Sequence, residues 1–245
     1  MSTLRFRVSG FIKDRVMRFY GVPFSPFRLE PALVPFLPRG QAITLVDVGA
    51  SEGMFADAIA AHCGIKRALL IEPQPDCCRQ LKQRFNEPTF AIEECAIAET
   101  EGSSAMAILN FHYASSLLAV RPDAAGSGDS GMAVRERIVV RTSTLDDVLQ
   151  RRSWTDPIDL LKLDVQGAEL LVLKGGLRTL NRASMIWTEV SFRPIYEQSA
   201  IFSDVYQFMN DHRFRLCALH EGFKGPGGEL LQADALFRRD PESST

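Results

Sequence analysis

From residue 41 onward, short apolar runs alternate with stretches whose apolar residues recur at helical spacing. Residues 42–48 are apolar except for Thr44 and Asp47 and end in a glycine-containing turn, which predicts a strand buried on both faces. A helix over about 53–62 follows, then a strand over 67–71 and a helix over 75–85 that opens on proline. Residues 89–97 predict a third strand and 138–142 a short extra one. Ser143 or Thr144 caps a helix running to 150, with Asp146 and Asp147 at its positive end. Strand 158–163, helix 168–180, strand 184–190 and helix 203–211 continue the alternation. Two last strands, 214–220 and 233–238, flank a glycine-rich loop over 222–228. This order predicts an α/β fold whose mostly parallel, doubly wound sheet carries helices on both faces.

The first 40 residues break the rhythm. Residues 4–20 interleave Arg5, Arg7, Lys13, Arg15 and Arg18 with Leu4, Phe6, Val8, Phe11, Ile12, Val16 and Phe19. That basic amphipathic pattern suits a helix packed on the domain edge or lying peripherally on a membrane surface. Five prolines between 22 and 38 exclude a continuous helix there. We expect an N-terminal helical and irregular extension over 1–40 and one α/β domain over 41–245. No uncharged apolar run reaches the roughly 18 residues of a membrane span, so stable insertion is not expected. A formal net charge of −2 argues against a wholesale nucleic-acid binder, which needs a basic surplus. The five cysteines are odd in number and spell neither a disulfide framework nor a metal motif. With no secretory pattern at the start, the expected compartment is the cytoplasm.

Candidate chemistry begins where the first strand meets the first helix. Residues 46–53 read Val-Asp-Val-Gly-Ala-Ser-Glu-Gly. Glycines there let the backbone approach a ligand, and the helix amino terminus offers free N–H groups. Ligands of a doubly wound sheet bind beyond the carboxyl ends of its strands. Glu72 ends the second strand and is placed to accept hydrogen bonds from both hydroxyls of a ribose. A dinucleotide fits poorly, because only Gly49 and Gly53 of a GxGxxG pattern are present and Asp47 would repel a pyrophosphate. The same carboxylate suits the amino group and sulfonium of S-adenosylmethionine. Residues 49–53 also spell GxSxG, the nucleophile elbow of α/β-hydrolases, with Asp164 and His220 following in hydrolase order. A serine hydrolase using Ser51 is disfavoured, since no earlier strand supplies an oxyanion-hole loop and Glu72 is left without a role.

A second motif spans 158–169, an apolar strand running into Asp164-Val165-Gln166-Gly167 and a helix start. Asp164 falls in the same crevice as Asp47 and Glu72, while Glu169 suits the first turn of the helix. The alternative makes Asp164 a helix cap and leaves Lys162 solvated. The strings VDVGASEG (46–53), IEP (71–73), TSTLDDVL (142–149), IDLLKLDVQGAELLVLKGG (158–176) and IWTEVSF (186–192) together resemble the FkbM-type methyltransferases, in that family's order. The resemblance implies a class I methyltransferase, Rossmann-like and doubly wound, with a mostly parallel seven-stranded sheet and an antiparallel strand near the C-terminus. It implies S-adenosyl-L-methionine as donor and O-methylation of a small-molecule, natural-product or sugar acceptor. Carried over by position, Asp47, Gly49 and Gly53 form the methionine-binding turn, Glu72 is the ribose acid, and Asp164 is the acid near the reacting centre. Ser51, which also belongs to the turn, stands where the family usually has asparagine. Glu94 and Cys95 stand where class I enzymes often place an acid for the adenine amino group.

An alcohol acceptor has to lose its proton as it is attacked, so a base belongs within hydrogen-bond reach. Asp164, Glu189, His112 and His220 are the candidates. Asp164 and Glu189 share the carboxyl edge of adjacent strands and could hold a divalent metal, but no further ligand at recognisable spacing completes a site. A metal-independent reaction is expected. His112, Tyr113, Ser115 and Ser116 are expected to line the acceptor side, Phe192 and Tyr196 to stack on the acceptor, and 124–131 to form a mobile loop above it. Trp187 reads as core. A non-catalytic S-adenosylmethionine-binding module that acts through a partner is the main alternative. A nucleic-acid methyltransferase is opposed by the net charge and by Asp164-Val165-Gln166-Gly167 standing where an Asn-Pro-Pro-aromatic string would.

Overall fold

The apolar run after Gln41 becomes β1 (Ile43–Val48), and all six of its residues are buried. It lies beside β2 (Ile65–Ile71) and β7 (Ile158–Leu163), parallel to both. A computed structural model describes residues 29–110, 112–123, 132–225 and 227–240. The basic segment 4–20 and the loop 124–131 lie outside the described residues.

Seven strands form the main sheet in the order β3 (Phe90–Glu93), β2, β1, β7, β8 (Ala183–Ser191), β10 (Gln232–Arg239) and β9 (Phe214–Glu221). Every pairing is parallel except those of β10, which runs antiparallel to both β8 and β9. This is the mostly parallel seven-stranded sheet, with an antiparallel strand near the C-terminus, that the resemblance implies. The order reverses at β1, so β1 and β7 part their loops there and open a crevice at their carboxyl ends.

Helices cover both faces, as continuous apolar strands demand. On one face α1 (Met54–His62) and α2 (Pro75–Arg84) bury Phe55, Ile59 and Leu81 against β1 and β2. Leu33 and Leu37, from the expected extension, pack into the same core around a short 3-10 turn at Val34–Phe36. On the other face lie α3 (Leu145–Arg151), α4 (Glu169–Lys174), α5 (Leu177–Leu180) and α6 (Phe202–Asp211). The α3 cap is Thr144, whose side chain accepts the Asp147 N–H.

Three expectations change. The third strand ends at Glu93, and residues 96–97 leave the main sheet as β4 (Ala96–Ile97). A second, three-stranded sheet joins β4 to β6 (Val134–Ser143) and β5 (Gly102–Leu109). Its β5 had no expected counterpart, because its first half is small and polar and only its last four residues are buried. The expected helix 168–180 divides at Gly175–Gly176, where a Cβ on Gly175 would lie 2.6 Å from the Ala98 carbonyl oxygen.

Candidate active site

The turn after β1 is shaped by backbone that only glycine tolerates well. Gly49 and Gly53 have φ of +78° and +81°. A Cβ on Gly49 would stand 1.9 Å from the Asp164 carbonyl oxygen, and one on Gly53 would stand 2.2 Å from the Phe85 ring. The ends of β1 and β7 are therefore pressed together, fastened by the Asp164 N–H on the Val48 carbonyl at 3.0 Å. Between the glycines, Ser51 holds a φ of +49° and its buried hydroxyl has no hydrogen-bond partner among the described residues. That hydroxyl, beside the Cys77 thiol, is free to bond a ligand. It also lacks the neighbouring base that a nucleophilic serine requires.

Glu72, just past β2, is buried and faces this turn. Oε2 accepts the Ser51 N–H and Oε1 accepts the Gln74 N–H, each at 2.9 Å. Burial pushes its carboxyl up to about 7 even though those N–H groups and Lys162 pull the other way. Each carboxylate oxygen keeps a lone pair beyond the bond it has made, so Glu72 can still receive two hydroxyl donors.

Asp47, expected in the methionine-binding turn, lies in β1 just before it. It is 0% exposed, and the cation beside it is Lys162, which lies opposite it in the β1–β7 register. Lys162 Nζ donates to the Gly49 carbonyl at 2.9 Å and stands 3.2 Å from Asp47 Oδ1 and 3.4 Å from Asp164 Oδ2. The approach to Asp47 is an ion pair without hydrogen-bond alignment, which leaves both Asp47 oxygens without a hydrogen bond. Burial would strip the Lys162 proton, yet Asp47 and Asp164 outweigh it and hold the ammonium above its ordinary range. Lys162 is thus buried rather than solvated. Its place between leucines in a two-face-buried strand was the signal.

Asp164 caps no helix, and its side chain, just past the end of β7, is 44% exposed. Gln166 Nε2 donates to Oδ1 at 2.7 Å and reaches Glu189 Oε2 at 3.4 Å. Glu189, on the adjacent strand β8, also accepts from Gln232 Nε2 at 2.8 Å. Opposite Glu189 on β10 stands Asp234. Burial, then the neighbouring carboxylates, raise Glu189 well above its usual range and Asp234 to about 7. Glu169 is buried too, accepts the Val165 and Gly167 N–H groups, and is likewise raised to about 7 by burial. Gln166, Gln232 and Asp234 entered no sequence expectation for the site, because their importance comes from segments apart in the chain meeting at one edge, with 23 positions from Gln166 to Glu189 and 43 from Glu189 to Gln232.

Other candidates are placed differently. Glu94 is exposed and bonded to Lys82 at 3.0 Å, and the Cys95 thiol is buried in the core. The end of β3 belongs instead to Glu93, which Arg141 and Arg152 grip at 2.5 Å each. His112 opens a short 3-10 turn, His112–Ala114, and its side chain lies outside the described residues. His220 Nε2 pairs with Glu30 at 2.6 Å, away from Ser51's orphaned hydroxyl. Tyr196 is 1% exposed, so it cannot stack on an acceptor as built. Phe192 packs against Phe202, with ring centroids 5.3 Å apart. Trp187 is core, as expected. Among the described residues no cluster of three or more His, Cys, Asp or Glu side chains is arranged to hold a metal, and no helix is long and apolar enough to cross a membrane.

A family model described as Methyltransferase FkbM domain matches residues 47–216. The 2-O-methyltransferase NoeI of Sinorhizobium fredii is 25% identical over 196 residues, covering 71% of this chain and 74% of that protein. The crystal structure of methyltransferase FkbM from Methylobacillus flagellatus KT superposes with a TM-score of 0.53 at 16% identity. That match covers 83% of this chain but 45% of the other, so this chain spans less than half of that relative's length. Fibrillarin of Aeropyrum pernix, solved with natively bound S-adenosyl-L-methionine, aligns at 12% identity and a TM-score of 0.46, over 82% of this chain and 68% of that one.

Proposed function

The chain belongs to the FkbM methyltransferase family, whose methyl donor is S-adenosyl-L-methionine, and on that premise we propose that it methylates a hydroxyl oxygen of a small or carbohydrate-like acceptor. The observation that carries the reading is the contrast between two sets of acids in one crevice. Glu72 is buried beside the glycine turn, while Asp164, whose backbone presses on Gly49 of that turn, has a half-exposed side chain. The likeness to a 2-O-methyltransferase supports oxygen as the acceptor atom.

The residues fit the donor. Glu72 would hold its ribose hydroxyls, and the orphaned Ser51 hydroxyl and the Gly49–Gly53 backbone would hold its methionine end. Lys162, secured by Asp47, keeps the Gly49 carbonyl in place beneath them. When bound there, S-adenosyl-L-methionine supplies a methyl carbon already activated by its sulfonium. The protein's remaining work is alignment and removal of one proton. Asp164 accepts the hydrogen bond of the acceptor hydroxyl and takes its proton as the oxygen gains its new bond. Glu189, pushed up by burial and its acidic neighbours and bonded to Gln166 and Gln232, stands beside Asp164 as a hydrogen-bonding group for the acceptor. Residues 41–245 form the methyltransferase domain in this reading, and 1–40 an appended segment that contributes Leu33 and Leu37 to its core.

The test is calorimetric titration with S-adenosylhomocysteine, followed by a radiolabelled methyl-transfer screen of sugars and polyketides. We expect Glu72→Ala to weaken S-adenosylhomocysteine binding by roughly 30-fold or more, the loss of two charge-assisted hydrogen bonds. Asp164→Asn should lose at least about 100-fold in turnover with a far smaller loss of cofactor affinity. Undiminished turnover in Asp164→Asn rules out its role as proton acceptor.

A further inference from the structure

Gln166 makes more contacts than its place in a loop requires. It sits in the left-handed region at φ +55° and is followed by Gly167 at +94°, so the chain turns sharply just after Asp164. A Cβ on Gly167 would come within 2.8 Å of the Tyr196 ring, which shows how tightly this turn is packed on that tyrosine. On one side the Gln166 amide nitrogen reaches Asp164 at 2.7 Å and Glu189 at 3.4 Å. On the other, Oε1 lies 3.0 Å from the Tyr196 hydroxyl, which is also 2.9 Å from the Ala114 carbonyl. The Gln166 backbone carbonyl accepts the Ser116 hydroxyl at 2.7 Å.

Tyr196 and Ser116 belong to two segments that are sewn together. The Arg121 N–H donates to the Ile195 carbonyl at 2.9 Å, and the Glu197 N–H donates to the Ala119 carbonyl at 2.7 Å. Residues 114–121 and 195–197 therefore form one wall, and Gln166 is where that wall meets the carboxylates. A primary amide carries two N–H donors and one carbonyl acceptor, so it can serve two acids and one hydroxyl at once. A carboxylate or an apolar side chain of the same size cannot.

We infer that Gln166 is a positioning residue for methyl transfer: its side-chain amide orients the Asp164 and Glu189 carboxylates together and ties both to the wall formed by residues 114–121 and 195–197. The inference rests on the reading of Asp164 as the proton acceptor. It adds a residue that touches neither reacting atom but fixes the direction in which the proton leaves. A misaligned base costs rate without costing cofactor affinity.

Gln166→Glu is nearly isosteric and keeps the acceptor facing Tyr196, but it turns a donor toward two carboxylates into a third carboxylate. With an acceptor found in the screen, we expect kcat at pH 8 to fall by about 30-fold or more while the S-adenosylhomocysteine Kd stays within about threefold. The deficit should shrink in acid, where the introduced carboxyl is protonated and can donate again. Gln166→Leu should lose kcat without gaining that pH dependence. A second readout needs no acceptor. In the S-adenosylhomocysteine complex, the Gln166 side-chain amide signals, assigned by their absence in Gln166→Leu, should move in 15N-resolved NMR when either Asp164→Asn or Tyr196→Phe is introduced. Wild-type kcat and pH profile in Gln166→Glu, or amide signals indifferent to both substitutions, overturn the inference. Full turnover in Asp164→Asn overturns the underlying reading instead, so the two failures are told apart.

Discussion

At the scale of single residues, the candidate site depends on carboxylates whose surroundings differ although their chemistry is the same. Among the described residues Glu72 forms no ion pair, and burial pushes its carboxyl up to about 7. Ribose hydroxyls donate to its ionised form, so binding selects the carboxylate. Below about pH 7 a proton has to be removed first, and S-adenosylhomocysteine affinity should fall by up to tenfold per pH unit. Above it, affinity should level off. Titrations across pH 5.5 to 8.5 check this, and Glu72→Gln should flatten the dependence while binding more weakly throughout. Glu72 and Asp164 were legible in the sequence because each ends an apolar run, and a strand's end is where an acid can reach a ligand. Asp47 lies one residue inside its strand, beside its register partner Lys162.

At the scale of elements, the site exists because β1 and β7 converge more closely than two ordinary side-chain-bearing strands can. Gly49→Ala adds strain at φ +78° and drives a methyl into the Asp164 carbonyl. We expect it to destabilise the fold by at least about 2 kcal/mol and to abolish S-adenosylhomocysteine binding, as read by denaturant unfolding and calorimetry. Thr144→Ala is the control on the far face: it removes the α3 cap, should cost about 1 kcal/mol, and should leave cofactor affinity unchanged. Parity of loss in both measurements would place the cap in the site. The strands of the main sheet and α1, α3 and α6 were readable from periodicity, since each buries a full face or stripe. Of the second sheet only the middle of β6 was, as a short strand over 138–142: β5 opens small, polar and exposed, and β6 opens on exposed Arg135, Glu136 and Arg137, so each carries an apolar signal over only part of its length.

At the scale of the whole molecule, proton affinity runs in two directions. Glu72, Glu169 and Asp234 each titrate near 7, and Glu189 is also raised. All bind their protons more tightly folded than unfolded, so the stability they contribute is full below their unfolded values of 3.8 to 4.5 and is lost as pH rises through about 7. Glu93 is opposite: burial raises it, but the Arg141 and Arg152 hydrogen bonds outweigh burial, and its contribution is lost only as pH falls below the ordinary carboxylate range. The cofactor-free protein should therefore melt at a higher temperature near pH 5 than near pH 8, with S-adenosylhomocysteine narrowing the gap. A midpoint that climbs steadily from pH 5 to 8 contradicts this account. The sequence by itself determined the strand and helix order, the glycine turn, and the acids at the strand ends, because burial periodicity and glycine's conformational freedom are local properties written residue by residue. Only the tertiary structure decided that Lys162 is buried between Asp47 and Asp164, that Asp234 faces Glu189, and that Gln166 joins the acids to Tyr196. Those relations depend on register between strands distant in the chain, and register is set by the packing of the whole sheet.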